Sequence, residues 1–162
     1  EERAALEARF DAGEALDARA PRERPRGPSQ ASPFREYRAA DGTRIWVGKG
    51  AAKNDALTFQ HAAPHHLWLH ARGVPGAHVV LAVDKNRTAS DEALLDAATL
   101  AAHHSDAKGA PRVEVSATLV RYVRKAKGAP GAVTFTQEKT IALRLEPERL
   151  TRLVKTERTN PV

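Results

Sequence analysis

The sequence predicts an α+β fold: a mainly antiparallel sheet with helices on one face, preceded by an isolated N-terminal helix. Three observations carry that expectation. From Phe34 onward, short strand-like runs follow one another, joined mainly by Gly-, Pro- and Asp-containing turns too short for a crossover helix. The segment Asp91–Ser105 instead repeats its apolar residues at helical spacing. The length of 162 residues, with 41% hydrophobic and 28% charged, suits one ordinary domain with its own core.

Residues 1–20 (EERAALEARFDAGEALDARA) read as a helix in which Leu6, Phe10 and Leu16 form a thin apolar stripe. Gly13 interrupts it at a cost of about 1 kcal/mol relative to Ala. So short a stripe is marginal alone, and the helix is expected to pair with a partner as the end of a coiled coil. Residues 21–33 (PRERPRGPSQASP) hold four prolines and form a linker. The chain opens on Glu1 and contains no methionine, which reads as a piece cut from a longer protein.

The folded domain is expected over residues 34–162. Asp41-Gly42 is a hairpin turn between strands Phe34–Ala39 and Arg44–Val47. Gly48-Lys49-Gly50 breaks the second strand, and a helix over Ala51–His61 stops before Pro64. Strands Leu67–Ala71 and His78–Val83 flank the turn Gly73-Val74-Pro75-Gly76. Ser90 is placed to cap the helix Asp91–Ser105, whose Leu94, Leu95, Ala98 and Ala101 share a side. Val113–Tyr122 alternates as a strand, with Val113, Val115, Ala117 and Leu119 facing one way. Beyond the Gly128–Gly131 loop, Ala132–Thr136 and Thr140–Leu145 are expected to pair as a hairpin, and Pro147–Val154 to form a terminal helix.

Several function classes are excluded. Cysteine is absent, removing disulfides, zinc–cysteine sites and thiol nucleophiles, in keeping with a reducing cytoplasm. No apolar run approaches the roughly 20 residues that cross a membrane. There is neither a phosphate loop of the GxxxxGK[ST] type nor a nucleophile elbow. His66 and His70 stand four apart, but on a strand that spacing separates them by roughly 13 Å, too far to share a metal. No catalytic residue, metal or cofactor is therefore expected. The sequence offers a binding surface.

Charge says what such a surface binds. Residues 112–162 carry eleven basic and five acidic groups, so nearly the whole formal net charge of +6 lies in the last third. A polyanion is the natural partner, although a solvated basic face kept for solubility has the same composition. Arg121, Arg124, Lys125 and Lys127 cluster around Tyr122 in RYVRKAKGAPG, either as phosphate contacts or as charges guarding a strand edge. Within Leu67–Arg72 the pleat puts Trp68, His70 and Arg72 on one face. That row supplies a stacking plane, a donor/acceptor and a phosphate clamp if it faces water. Otherwise Trp68 packs in the core and Arg72 caps a carboxylate. Gly76 brings His78 to the same edge, by positive φ or by allowing close backbone approach. Asn54-Asp55, beside Lys53, either close the site from the helix side or cap the helix.

The stretch DGTRIWVGKGAAKNDALTFQHAAPHHLWLHARGVPGAHVVL resembles the NFACT RNA-binding (NFACT-R) domain. That family's pattern runs Asp-Gly, a strand ending in Val-Gly, Asn-Asp, Asp-Leu-Trp-Phe-His and Pro-Gly-Ser-His-Val. YVRKAKGAPGAVTFTQEKTIAL is similar to its second signature, a basic Val-x-Lys segment leading to Pro-Gly-x-Val. The resemblance covers about residues 34–146, with order and spacing kept over three motifs. It falls on Asn54, Asp55, Trp68, His70, Pro75, Gly76, His78 and the basic segment ending at Gly131. His66 stands where the family has Asp, Ala77 where it has Ser, and Ala126 where it has Pro.

The resemblance implies the C-terminal module of a cytoplasmic ribosome-associated quality-control protein acting on stalled nascent chains, following a coiled coil. Its members bind tRNA and the large ribosomal subunit. The expected interface is therefore tRNA or ribosomal RNA held by Trp68, His70, Arg72 and His78 at a specific edge. Lys49, Lys53, Arg121, Arg124, Lys125 and Lys127 add the electrostatics, with Asn54, Asp55 and Gly76 shaping the site. A protein-interaction module, with the Trp68 row meeting ribosomal proteins or a nascent chain, is the rival reading.

Overall fold

The computed structural model describes residues 34–158, so the helix expected at residues 1–20, its pairing and the linker at 21–33 lie outside it. The described elements run β1 (Arg35–Arg38), β2 (Arg44–Gly48), α1 (Ala51–Ala56), a π-helical turn (Leu57–His61), β3 (Leu67–Ala71), β4 (His78–Leu81), α2 (Asp91–His103) and β5 (Arg112–Leu119). A 3₁₀ turn (Val120–Tyr122), β6 (Val123–Lys125), β7 (Val133–Phe135), β8 (Lys139–Arg144) and α3 (Pro147–Lys155) complete the order. Six strands form an antiparallel sheet in the order β1-β2-β4-β3-β5-β8, and β6 pairs with β7 as a separate ribbon. The fold class is the expected α+β.

Local chemistry explains most boundaries. Gly42 takes a positive φ of 89° in the first hairpin turn, as the Asp-Gly pair requires. At the end of β2, a Cβ on Gly48 would lie 2.9 Å from the Lys53 carbonyl, so only glycine lets α1 fold back against the strand. Ser90 caps α2 by accepting a hydrogen bond from the Ala93 amide at 3.1 Å.

The period-2 alternation of the strands divides the core in two. Ile45, Val47, Leu69, Val79, Leu81, Val115 and Leu143 pack with α2 and with Leu153 of α3. On the opposite face Trp46, Trp68 and Val80 pack with Phe34, Leu57, Val120 and Val123, and with Val133 and Phe135 of β7. Burial of this second face was not legible from the strand patterns.

One pairing departs from expectation. Residues 133–135 pair with Val123–Lys125, while Lys139–Arg144 pair with β5 in the register Val113↔Leu143 and Val115↔Ile141. Ile141 and Leu143 bury against the helix-side core only in that register. The 3₁₀ turn at Val120–Tyr122 peels the chain off the sheet, so the ribbon forms above it.

A buried carboxylate joins the helix layer. Asp96 of α2 is fully buried and accepts from Arg149 Nη1 at 2.8 Å, Arg152 Nη2 at 2.6 Å and the Ala40 amide at 2.8 Å. Asp96→Ala leaves Arg149, whose side chain is 11% exposed, without its buried partner. Chemical denaturation is expected to show a loss of about 3 kcal/mol, and a loss under about 1 kcal/mol would contradict the role given to this network.

Candidate nucleic-acid interface

Trp68 and His70 share one face of β3, and Arg72, one residue past its end, lines the same cleft, but that face does not lie open to water. The Trp68 side chain is 0% exposed, under Phe135 at 5.0 Å between ring centroids and against His78 at 5.2 Å. This corrects the expected water-facing stacking plane. The cause is the β6–β7 ribbon together with the α1–π segment, which cover the face that β3 alone presents as mixed and polar.

The other residues sort by depth. His78 is buried at the start of β4, with its Nδ1 2.8 Å from Thr58 Oγ1 and its amide donating to Asn54 Oδ1 at 2.9 Å. His70 is half-buried, its ring parallel to the Trp68 indole at 5.8 Å. Arg72 is exposed and donates to Thr140 Oγ1 at 3.0 Å. Gly76 owes its place to close approach rather than positive φ: its Cβ would meet that of Ser105 at 2.8 Å.

The Asn54-Asp55 pair does not cap α1, whose N-cap is Gly50. It ties α1 to its neighbours instead. Asn54 reaches inward to β4. The Asp55 carboxylate reaches the ribbon, accepting from the Gly131 amide at 3.1 Å and standing 3.6 Å from Lys125 Nζ. Gly131 also sits against Ala51.

This junction gathers the cations. Lys49, Lys53, Lys125 and Lys127 are exposed around the start of α1 and the ribbon tip. Arg121 and Arg124 are exposed at the ribbon's base, where Arg124 Nη1 donates to the Arg121 carbonyl at 3.0 Å. Arg72 and Gly131 line one cleft of ≈ 410 Å³ floored by Trp68 and His70. Sequence reasoning missed Phe135, Glu138 and Thr58. Phe135 had a signal in its alternation with Val133, but nothing local told that this strand roofs Trp68.

A match to the family model for the NFACT protein RNA binding domain spans residues 33–137. The chain belongs to this family. It is 35% identical over 120 residues to the Rqc2 homolog RqcH of Bacillus subtilis strain 168, covering 74% of this chain and 20% of that protein. Identity to the Rqc2 homolog RqcH of Streptococcus pneumoniae serotype 2 is 41% over 115 residues, or 70% of this chain and 20% of the relative. The chain thus spans 20% of the length of each of these curated relatives. A solved structure of the C-terminal part of the fibronectin/fibrinogen-binding protein from Streptococcus suis superposes with a TM-score of 0.69 at 36% identity. That likeness covers 76% of this chain and 50% of the other.

The pKa values of His65, His66, His70, His78, His103 and His104 are lowered by burial. Burial pushes His66 and His104 down to about 3 and His78 to about 4, from an ordinary 6.5. Geometry agrees for His66, whose Nδ1 accepts the Ala63 amide at 3.0 Å and so must be unprotonated. No described group of three or more His, Cys, Asp or Glu side chains is arranged to hold a metal ion.

Folded pKa values depressed below the unfolded value make the unfolded chain bind more protons. The stability is then full above pH 6.5 and is lost as pH falls through the window down to about 3–4. The melting temperature is expected to fall steadily between pH 7 and pH 4. His66→Asn keeps an acceptor at that position and should flatten the slope, by at most about 1.4 kcal/mol per pH unit. An unchanged slope in His66→Asn, or no slope in the parent, contradicts the assignment.

Proposed function

We propose that this chain is the RNA-binding module of a cytoplasmic ribosome-associated quality-control factor, contacting tRNA or large-subunit ribosomal RNA. The observation that carries the reading is the junction of α1 and the ribbon, where exposed Lys49, Lys53, Lys125 and Lys127 gather in a domain of the NFACT RNA-binding family. Arg72 is exposed at the cleft, and Arg121 and Arg124 are exposed at the base of the ribbon. Its affinity comes from phosphate neutralisation and counterion release, and the cations set position rather than sequence. The names of the relatives, Rqc2 homologs, support placing the module in ribosome quality control. Binding is its whole task here, and chemistry is not assigned to it.

Filter or anisotropy titration with tRNA over a salt series tests the reading. Replacing both Arg124 and Lys125 with Ala should weaken binding at every salt concentration and make the log K against log[salt] slope shallower by about 1–2. The same slope in the parent and the double variant would remove the ribbon from the interface. A ribosomal protein held on the same surface and not displaced by tRNA would favour a protein-interaction module.

A further inference from the structure

Among the described residues, one buried side-chain polar atom has no hydrogen-bond partner: Trp68 Nε1. An indole N–H withdrawn from water without an acceptor is destabilising, and such a group in a folded protein needs an explanation. Trp68 lines a cleft whose other surfaces include His70, Phe135, Val133, Arg72 and Glu138. The cleft combines flat aromatic walls, an indole carrying an unsatisfied donor and, four residues beyond that indole, a guanidinium. Those are the parts that recognise an unstacked base together with its phosphate.

We propose that this cleft receives one unpaired nucleobase of the bound RNA, with a ring carbonyl oxygen of that base accepting the Trp68 indole N–H. The base packs against Phe135 and His70, and its backbone phosphate meets Arg72. Uracil, guanine and cytosine offer the carbonyl; adenine does not. The proposal rests on the RNA-binding reading and gives it a base-specific element that phosphate contacts cannot provide.

Entry requires the ribbon to shift, because the indole is covered. The ribbon is suited to that. Its strands are three residues each, and two-stranded hairpins of this size are only marginally stable unless docked. The polar ties of its tip to α1 both run through the single carboxylate of Asp55, to Gly131 and to Lys125. A phosphate competing for Lys125, whose side chain is 62% exposed, weakens one of those ties as the base arrives.

The test is a titration of the full chain, followed through its two indole N–H resonances with Trp68→Phe assigning them. Oligouridylate is expected to shift the Trp68 resonance downfield and to bind about fivefold more tightly than oligoadenylate, as one neutral hydrogen bond allows. Trp68→Phe should abolish that preference, with oligouridylate falling to the affinity of oligoadenylate. Uridine monophosphate should move the same resonance more weakly than the oligomer, while movement by the mononucleotide alone would make the cleft a free-nucleotide site and overturn the RNA form. RNA binding with an unmoved Trp68 resonance, or a uridine preference retained by Trp68→Phe, overturns the base pocket. If Trp68→Phe loses its fold, Trp46→Phe assigns the two resonances instead and the parent titration decides the matter. An absence of RNA binding of any kind sinks the broader reading instead, so the two failures are told apart.

Discussion

The arrangement depends on one constraint: the middle of the sheet must be buried on both faces. All four residues of β4, His78 to Leu81, are buried, and in β3 Trp68 and Leu69 point to opposite sides with neither exposed. Fully burying side chains of this size contributes about 2–3 kcal/mol each relative to leaving them in water. Helices α2 and α3 supply the cover on one side. The other side is closed by the short α1–π segment and by a ribbon that has left the sheet. The second cover is the thinner one. Four of the eight lysines, Lys49, Lys53, Lys125 and Lys127, are exposed there, so the part of the fold closing the second core also offers cations to a polyanion.

Two adjacent polar residues hold that thinner cover. Successive side chains on a helix point about 100° apart, so Asn54 and Asp55 leave α1 in different directions. Asn54 accepts a β4 amide and locks α1 to the sheet; Asp55 reaches outward to the ribbon tip. Gly48 and Gly131 make both contacts possible by letting backbone pass close by at each end of α1's first turns. The deep tie is buried and neutral, while the outer tie includes an ion pair whose lysine end is solvent-exposed and open to screening by salt. Rigidity and looseness are thus separated by a single residue step.

Much of this was legible in the sequence, and what was not shares one cause. The first hairpin, the helix over 51–61, the Ser90 cap and the Trp68–His70–Arg72 row all follow from local signals, namely Asp-Gly, Gly and Pro breaks, capping chemistry and the pleat. The exposure of that row did not follow. Period-2 alternation assigns residues to faces but does not say which face is covered, and the cover over Trp68 comes from Val133 and Phe135, more than sixty residues later in the chain. The same limit explains the misassigned hairpin. Proximity in sequence favoured pairing 132–136 with 140–145, whereas the apolar positions of β8 needed the α2 side of the sheet and found it on β5.

His66 shows how a departure from the family pattern is absorbed. The resemblance has an Asp at this position, before Leu-Trp, and a carboxylate there would accept a backbone amide. His66 does so with Nδ1, taking the Ala63 amide just ahead of Pro64, and its ring lies 5.5 Å from Trp46. The substitution preserves the acceptor but replaces a fixed negative charge with a neutral imidazole, held neutral by burial. A carboxylate beside Trp46 would sit near Arg44, whose guanidinium stands 5.5 Å from that ring, and would offset its charge. With a neutral acceptor the Arg44 charge is left to act outward. In this chain, then, the exchange keeps the turn and adds to the positive field, which are separable consequences of one residue because hydrogen bonding acts over one contact and charge over roughly a Debye length of about 8–10 Å.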